Sequence, residues 1–162
     1  MLGAVAARIV YTDLDGTMVG PRGSFWHASD GSPTAEPAAA LLELHTAGVA
    51  LVIVSGRTAD QVTEAGRIFA ADGAIAELGS LVTWKGGRER HELTGELPAE
   101  YAGRRPMDVM AELGVVDALC AAHPGRLEWH APWHATHVTD ALLRGRADPL
   151  AVDAELAERG AG

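Results

Sequence analysis

The first half of the chain alternates short apolar runs with segments of helical spacing. Apolar runs at residues 7–12 and 49–57 are rich in β-branched residues, which is typical of buried parallel strands. A segment with helical spacing follows each run, at 34–48 and 58–73, and another apolar run lies at 74–78. Strands that alternate with helices predict right-handed crossovers and a parallel sheet. We therefore expect an α/β fold with a Rossmann-like core.

Capping residues mark the ends of the two predicted helices. Thr34 and Thr58 each precede a helical segment, and a threonine oxygen there can accept a backbone N–H of the first turn. Pro37 is tolerated in the first turn, where its missing N–H costs nothing. Gly48 and Gly73 follow the last positions with helical spacing, so we expect the helices to end there.

Beyond about residue 80 the pattern changes to mixed, shorter elements. In chain order they are a hairpin around Gly86–Gly87 (81–93), a mainly helical stretch (99–122), two short strands (125–131 and 135–145) and a capped helix (148–160). We therefore predict two domains. The Rossmann-like core occupies residues 1–82, and a smaller α+β unit occupies residues 83–162.

Composition excludes several classes of partner. Of the 162 residues, 22 are acidic and 13 basic, which gives a net charge of −9 and a pI near 5.1. Such a chain is not drawn to nucleic acid or to an anionic membrane. Its apolar N-terminus lacks a basic leader, and no run is long enough to span a bilayer. The single Cys120 excludes an internal disulfide, so we expect a cytoplasmic protein.

Two polar motifs follow the first two predicted strands, at the edge where open parallel sheets bind ligands. The first is "DLDGT". In an extended segment residues i and i+2 face the same way, so Asp13 and Asp15 can address one point while Leu14 turns inward. Gly16 permits a sharp turn, and the Thr17 hydroxyl with nearby amides can hold phosphate oxygens.

The second motif, "SGR", follows the second strand. Ser55 and the Gly56 amide lie at the start of a predicted helix, and helix N-termini bind anions. Arg57 either contacts the same phosphate or only balances the nearby acids. Both motifs together indicate phosphoryl transfer, in which one carboxylate attacks phosphorus and the other moves protons.

"DLDGT" followed by "VIVSGR" resembles the haloacid dehalogenase-like hydrolase superfamily. The order of core first and α+β insert second is similar to its branch with a large cap after the third strand, which includes sugar-phosphate phosphatases. The resemblance implies that Asp13 is the nucleophile, Asp15 the general acid/base and Ser55 a phosphate ligand. It also implies that Asp13 and the Asp15 carbonyl coordinate Mg²⁺, and that the substrate is a small phosphorylated metabolite such as a sugar phosphate.

The chain departs from that family in its second half. Family members carry a lysine after the cap and an acidic Gly-Asp loop that completes the metal site, whereas this chain has one lysine, Lys85, and no Gly-Asp pair. We expect an N-terminal fragment of a longer enzyme, in which the C-terminal part of the core is absent. The alternative is a catalytically inactive phosphate-binding or regulatory relative. In such a fragment the first strand becomes an edge, so we expect an oligomer or a partner to cover it.

Four histidines, His123, His130, His134 and His137, form a second cluster of candidate ligands. The spacing of the last three would place them on one helical face, but Pro132 and the neighbouring strand pattern argue against a helix. We favour histidines that line the inner face of the cap over a metal site.

Overall fold

The computed structural model describes residues 7–159, which divide into two compact units with the boundary after Leu93. The sequence placed the end of the core at residue 82. The hairpin that follows residue 82 belongs to the sheet of the first unit, because its first strand pairs with the third strand of that sheet. The assignment of residues 83–162 to a separate domain stays a prediction.

The first unit contains a five-stranded sheet in the order β1-β2-β3-β4-β5. Its strands are β1 (Ile9–Asp13), β2 (Ala50–Val54), β3 (Gly73–Ala76), β4 (Leu81–Trp84) and β5 (Glu89–Glu92). The first three are parallel, as predicted, and β4 and β5 are antiparallel to their neighbours. The sheet is therefore mixed, and β1 and β5 are its two edges among the described strands.

The first helix, α1 (Glu36–Thr46), begins close to the predicted position. The residue at the N-cap position is Ala35, which has no side-chain acceptor, and not Thr34 as predicted. The Thr34 hydroxyl nevertheless accepts the Glu36 amide at 3.1 Å. Thr34 thus supplies the capping hydrogen bond from one position further back.

The second helix, α2 (Ala59–Phe69), begins with the predicted cap and ends earlier than predicted. Thr58 and Gln61 form a reciprocal capping box. The predicted end at Gly73 is wrong, because the chain leaves the helix at Ala70, which has a left-handed backbone (φ 52°). Gly73 instead opens β3. An alanine rarely adopts a left-handed backbone, so the sequence did not predict that the helix ends at Ala70.

Alternating burial places the core of the first unit between the sheet and the two helices. Leu51 and Ile53 of β2 are fully buried, as is Val62 of α2, and Phe69 on the same stripe of α2 is also buried. Both crossovers, β1 to β2 and β2 to β3, step the same way across the sheet. Right-handed connections then place α1 and α2 on the same face, which leaves the carboxyl ends of β1 and β2 open.

The second unit is a small α+β assembly, as the sequence predicted. It contains α3 (Pro106–Glu112), α4 (Val115–Ala122), α5 (Pro149–Glu158) and an antiparallel pair, β6 (Leu127–Trp129) with β7 (Leu143–Gly145). Asp148 caps α5 by accepting the Leu150 amide at 3.1 Å. The strand predicted over 135–145 forms only at its end. Among residues 7–159, no helix is both long and apolar enough to cross a bilayer.

Candidate active site

The carboxyl end of β1 presents two carboxylates to solvent. Asp13 is the last residue of the strand and pairs in register with Val54 of β2. Leu14 is 1% exposed, whereas Asp13 and Asp15 on either side of it are exposed. This is the alternation that the sequence predicted for an extended segment. The two acids therefore lie at the same edge of the sheet, and Leu14 anchors them to the core.

A tight loop follows the two acids. The Gly16 amide donates to the Val19 carbonyl at 2.8 Å, and the Met18 amide donates to the Leu14 carbonyl at 3.0 Å. Gly16 has φ +85°, a conformation that residues with a side chain rarely adopt. Met18 and Val19 are buried, while Thr17 between Gly16 and Met18 is exposed. The turn thus leaves the Thr17 side chain open to a ligand.

The second motif begins where β2 ends. Ser55 is buried, its amide donates to the Ile75 carbonyl at 2.9 Å, and its hydroxyl oxygen accepts the Arg57 amide at 3.2 Å. The first bond ties the loop to the neighbouring strand β3, and the second lies within the loop. Gly56 sits against Leu78, since a Cβ at Gly56 would lie 3.3 Å from the leucine methyl. The loop therefore enters α2 in one defined conformation, directly beside the end of β1.

A salt bridge joins the two motifs. Arg57 Nε donates to Asp15 Oδ2 at 2.8 Å, and Arg57 Nη2 donates to Asp15 Oδ1 at 2.5 Å. The two residues are 42 positions apart in the chain, and both are partly exposed. A bidentate guanidinium–carboxylate pair is a strong and directional contact. Asp13 makes no such contact within residues 7–159, so the two acids have different surroundings.

The donor set suits a hard cation. The Asp13 carboxylate accepts no side-chain hydrogen bond from any residue in the described range, and its oxygens face solvent. Mg²⁺ takes oxygen ligands and keeps several waters, so one carboxylate and one main-chain carbonyl, from Asp15, would be a sufficient protein contribution. The Asp15 side chain is engaged with Arg57 through both carboxylate oxygens, so neither oxygen is left for a metal ion in this arrangement.

The histidines of the second unit do not form a common ligand set. No three of His123, His130, His134 and His137, all within the described chain, bring ring nitrogens within 4.8 Å of one another. His137 Nδ1 lies 2.5 Å from Asp140 Oδ1, and the His134 ring packs 4.9 Å from the Trp129 ring.

His123 has an acidic neighbour of its own. Its Nε2 lies 3.2 Å from Glu155 Oε2. Hydrogen bonding from Arg159 holds the pKa of Glu155 below its usual range, and His123 adds to the effect. His123, His134 and His137 thus each have a separate local partner or ring contact.

Sequence reasoning left open whether Arg57 contacts a phosphate or balances the nearby acids, and the structure shows it bonded directly to Asp15. Each residue follows its own strand, and the two strands are adjacent and parallel, so both side chains start from one edge of the sheet. This shared edge indicated that the Asp15 and Arg57 side chains could meet. Sequence reasoning missed Gly23, whose backbone approaches Arg57 so closely that an added Cβ would lie 3.3 Å from Nη2. The loop after β1 therefore passes beside the guanidinium.

No protein-family model matches the chain, and no curated protein matches it. Among solved structures, protein 0175 of Thermoplasma acidophilum is similar over 94% of this chain and 56% of its own, with a TM-score of 0.60 and 11% identity. The chain shares the fold of that protein. The α/β fold class predicted from the sequence is thereby confirmed.

Solved structures that match the chain also include haloacid dehalogenase-like hydrolases. One, from B. subtilis, is 21% identical over 68% of this chain and 34% of its own, with a TM-score of 0.45. Another, from Bacteroides thetaiotaomicron, is 16% identical over 70% of this chain and 39% of its own, with a TM-score of 0.49. The chain spans between 34% and 56% of the length of these three structures.

Proposed function

We propose that the chain belongs to the haloacid dehalogenase-like hydrolases and acts as a Mg²⁺-dependent phosphohydrolase on a small phosphorylated metabolite, for example a sugar phosphate. One observation carries the proposal. Two adjacent parallel strands end in an exposed carboxylate pair, Asp13 and Asp15, and in an anion-binding loop, Ser55–Arg57, and the two motifs are in direct contact. The "DLDGT" and "SGR" motifs support the family assignment.

Asp13 is the proposed nucleophile, because its carboxylate is exposed and has no cationic side chain paired with it in the described chain. One Asp13 oxygen forms a bond to phosphorus while the bond from phosphorus to the substrate oxygen breaks. Asp15 gives a proton to that leaving oxygen. A water molecule then gives a proton to Asp15 and attacks phosphorus, which releases inorganic phosphate and regenerates the Asp13 carboxylate.

Backbone and side-chain donors hold the phosphate during these steps. The Gly16 turn exposes Thr17, and the loop that leads into α2 offers the Gly56 amide and the Ser55 hydroxyl. Ser55 is already an acceptor for the Arg57 amide, so its own O–H can donate to a phosphate oxygen. The Asp13 carboxylate and the Asp15 carbonyl would hold Mg²⁺, which offsets the repulsion between carboxylate and phosphate.

A second candidate function is binding without turnover. The observation that favours it is the salt bridge of Asp15, both of whose oxygens are occupied by Arg57. A chain that keeps this pair closed would retain the phosphate loop but lack a free acid. Such a protein would act as a phosphate-responsive binding or regulatory module.

Turnover of a panel of phosphate esters distinguishes the two functions. We expect Mg²⁺-dependent release of phosphate by the chain, or by the product of its full reading frame, and loss of that release on addition of EDTA. Asp13→Asn removes the nucleophile and should reduce turnover to background. Asp15→Asn should slow it by about 10²–10⁴-fold, the usual contribution of a positioned acid/base.

Asp153→Asn is the matched control for charge, because Asp153 is an exposed aspartate of α5 in the second unit. It should leave turnover unchanged. Turnover that survives Asp13→Asn would refute the nucleophile assignment. Saturable phosphate binding by a chain that hydrolyses no ester would instead support the binding function.

A further inference from the structure

The edge of the Arg57 guanidinium that carries Nε and Nη2 can pair with only one anion at a time. Nε and Nη2 are both committed to the Asp15 carboxylate, at 2.8 and 2.5 Å. The same residue lies in the loop that would receive a phosphate dianion. A planar guanidinium pairs equally well with a carboxylate and with a phosphate, and one bidentate face serves one partner at a time.

The salt bridge is exposed enough to exchange partners. The Arg57 side chain is 34% exposed and the Asp15 side chain 54% exposed. Ion pairs in contact with water contribute little net free energy, because water competes for both groups. A phosphate carries two negative charges and is held by further donors, so we expect it to bind the guanidinium more strongly than Asp15 does.

The Arg57 backbone is restrained, so only its side chain needs to move. Ser55 Oγ accepts the Arg57 amide at 3.2 Å, and the Arg57 carbonyl accepts the Glu77 amide at 3.0 Å. Thr58 then fixes the start of α2 through its capping box. Gly23 lies beside Nη2 without a side chain, so the loop after β1 leaves the guanidinium room to turn.

We propose that Asp15 and a bound phosphate group compete for Arg57, so that Arg57 locks the acid in the ligand-free protein and phosphate binding unlocks it. This inference rests on the proposed function, because it requires phosphate to enter the loop. It adds a regulatory role: Asp15 becomes free to exchange protons only after Arg57 has turned to the phosphate. The ligand-free site is thereby kept from acting as an acid on other molecules.

The competition can be measured as a double-mutant cycle with inorganic phosphate and Mg²⁺ in a calorimeter. Asp15→Asn should tighten phosphate binding by about two- to fivefold, the range that corresponds to an exposed ion pair. Part of any gain comes from the loss of a negative charge near the phosphate. Asp15→Asn in the Arg57→Met background measures only the gain in phosphate affinity that comes from the lost charge. The competition predicts a clearly larger gain with Arg57 present than in the Arg57→Met background.

Each outcome of the cycle has a definite meaning. Equal gains in the two backgrounds, or a smaller gain with Arg57 present, would overturn the competition while the phosphate site stands. Failure of every variant to bind phosphate would instead contradict the proposed function. Asp60→Asn serves as the matched charge control, because Asp60 is exposed in the first turn of α2 and its side chain makes no salt bridge with Arg57. It should give a smaller gain than Asp15→Asn.

A second measurement needs no substitution and covers the case in which an Arg57 variant fails to fold. In NMR titrations of the unmodified chain with phosphate and Mg²⁺, the Arg57 Nε–H signal and the Asp15 carboxyl carbon signal should shift together and saturate together. The proposal would be contradicted if the backbone amide signals of Gly16, Thr17 and Gly56 shifted to saturation with phosphate while the Asp15 carboxyl signal did not shift. Arg57→Lys keeps the charge but loses the bidentate fork, so it should weaken both contacts.

Discussion

The two edges of the sheet are built in opposite ways. The edge at β5 has the sequence Glu-Arg-His-Glu, and the edge at β1 has Ile-Val-Tyr-Thr-Asp. Charged edge strands resist pairing with other chains, whereas apolar edges invite it. Among the described strands, the β5 edge therefore resists pairing with another strand, whereas the β1 edge is open to it. The candidate site lies on the open side.

Local contacts protect the β5 edge. The hairpin turn carries an ion pair between Lys85 and Glu89, and Arg90 Nη2 lies 3.4 Å from Glu92 Oε1. The His91 ring stacks on Trp84 of the neighbouring strand, with the ring centres 4.8 Å apart. The only lysine of the sequence is therefore part of an edge and not of the site, as expected for an ordinary surface lysine.

The β1 edge has apolar surface on both faces. Ile9 is 49% and Tyr11 62% exposed on one side. On the other side a cavity of about 460 Å³ runs along the strand, and its apolar lining includes Val10, Leu44 and Leu51. We propose that another polypeptide, from a second copy or a partner, covers this edge.

Removal of a buried side chain next to β1 should have the largest effect. Ile53 of β2 pairs in register with Thr12 of β1 and is fully buried. Ile53→Ala should lower the free energy of unfolding by about 2–5 kcal/mol in urea titrations. Ile68→Ala is the matched control, because Ile68 is largely exposed on α2 and should cost less than about 0.5 kcal/mol. Similar losses for the two would contradict the described core.

A charge placed on the open edge should reduce self-association. Tyr11→Lys should raise the concentration at which the chain associates by about tenfold or more, as measured by sedimentation velocity. His91→Lys, at the middle of the β5 edge, should leave association unchanged, because that edge is already charged. A chain that stays monomeric at every concentration, or equal effects of the two substitutions, would refute the contrast between the edges.

Loss of one ion pair at the β5 edge should have the smallest effect. Glu92→Gln removes the partner of Arg90, and both side chains are more than a third exposed. The expected loss is about 0.2–1 kcal/mol, and it should shrink in high salt because mobile ions screen exposed charges. Thermal unfolding of the unmodified protein and of Glu92→Gln, at low and at high salt, measures this loss of stability. A loss that persists in high salt would show that Glu92 acts through packing.

Much of the first unit could be predicted because its signals are local. The strand patterns, the Thr58 cap, the Gly86–Gly87 hairpin and the inward Leu14 all follow from neighbouring residues. The end of α2 at Ala70 could not be predicted, since alanine has no preference for a left-handed backbone. Nor could the position of the hairpin in the first sheet, which depends on pairing between β3 and β4.

The positions of the candidate residues at two adjacent strand ends could be predicted, but the contacts between their side chains could not. Asp13, Asp15 and Ser55 could be assigned because motifs at strand ends share an edge of the sheet. The pairing of Asp15 with Arg57 rather than with solvent depends on side-chain conformations across 42 positions of the chain. Local sequence patterns do not specify such choices.

Covalent trapping is the most direct test of Asp13 as the nucleophile. The chain, or the product of its full reading frame, is incubated with a hydrolysed ester and Mg²⁺, quenched in acid and treated with borohydride, which reduces an aspartyl-phosphate to homoserine. If Asp13 is the nucleophile, we expect peptide mass spectrometry to find homoserine at position 13 and an unmodified Asp15. Turnover without modification at position 13, or modification at Asp15 instead, would contradict it.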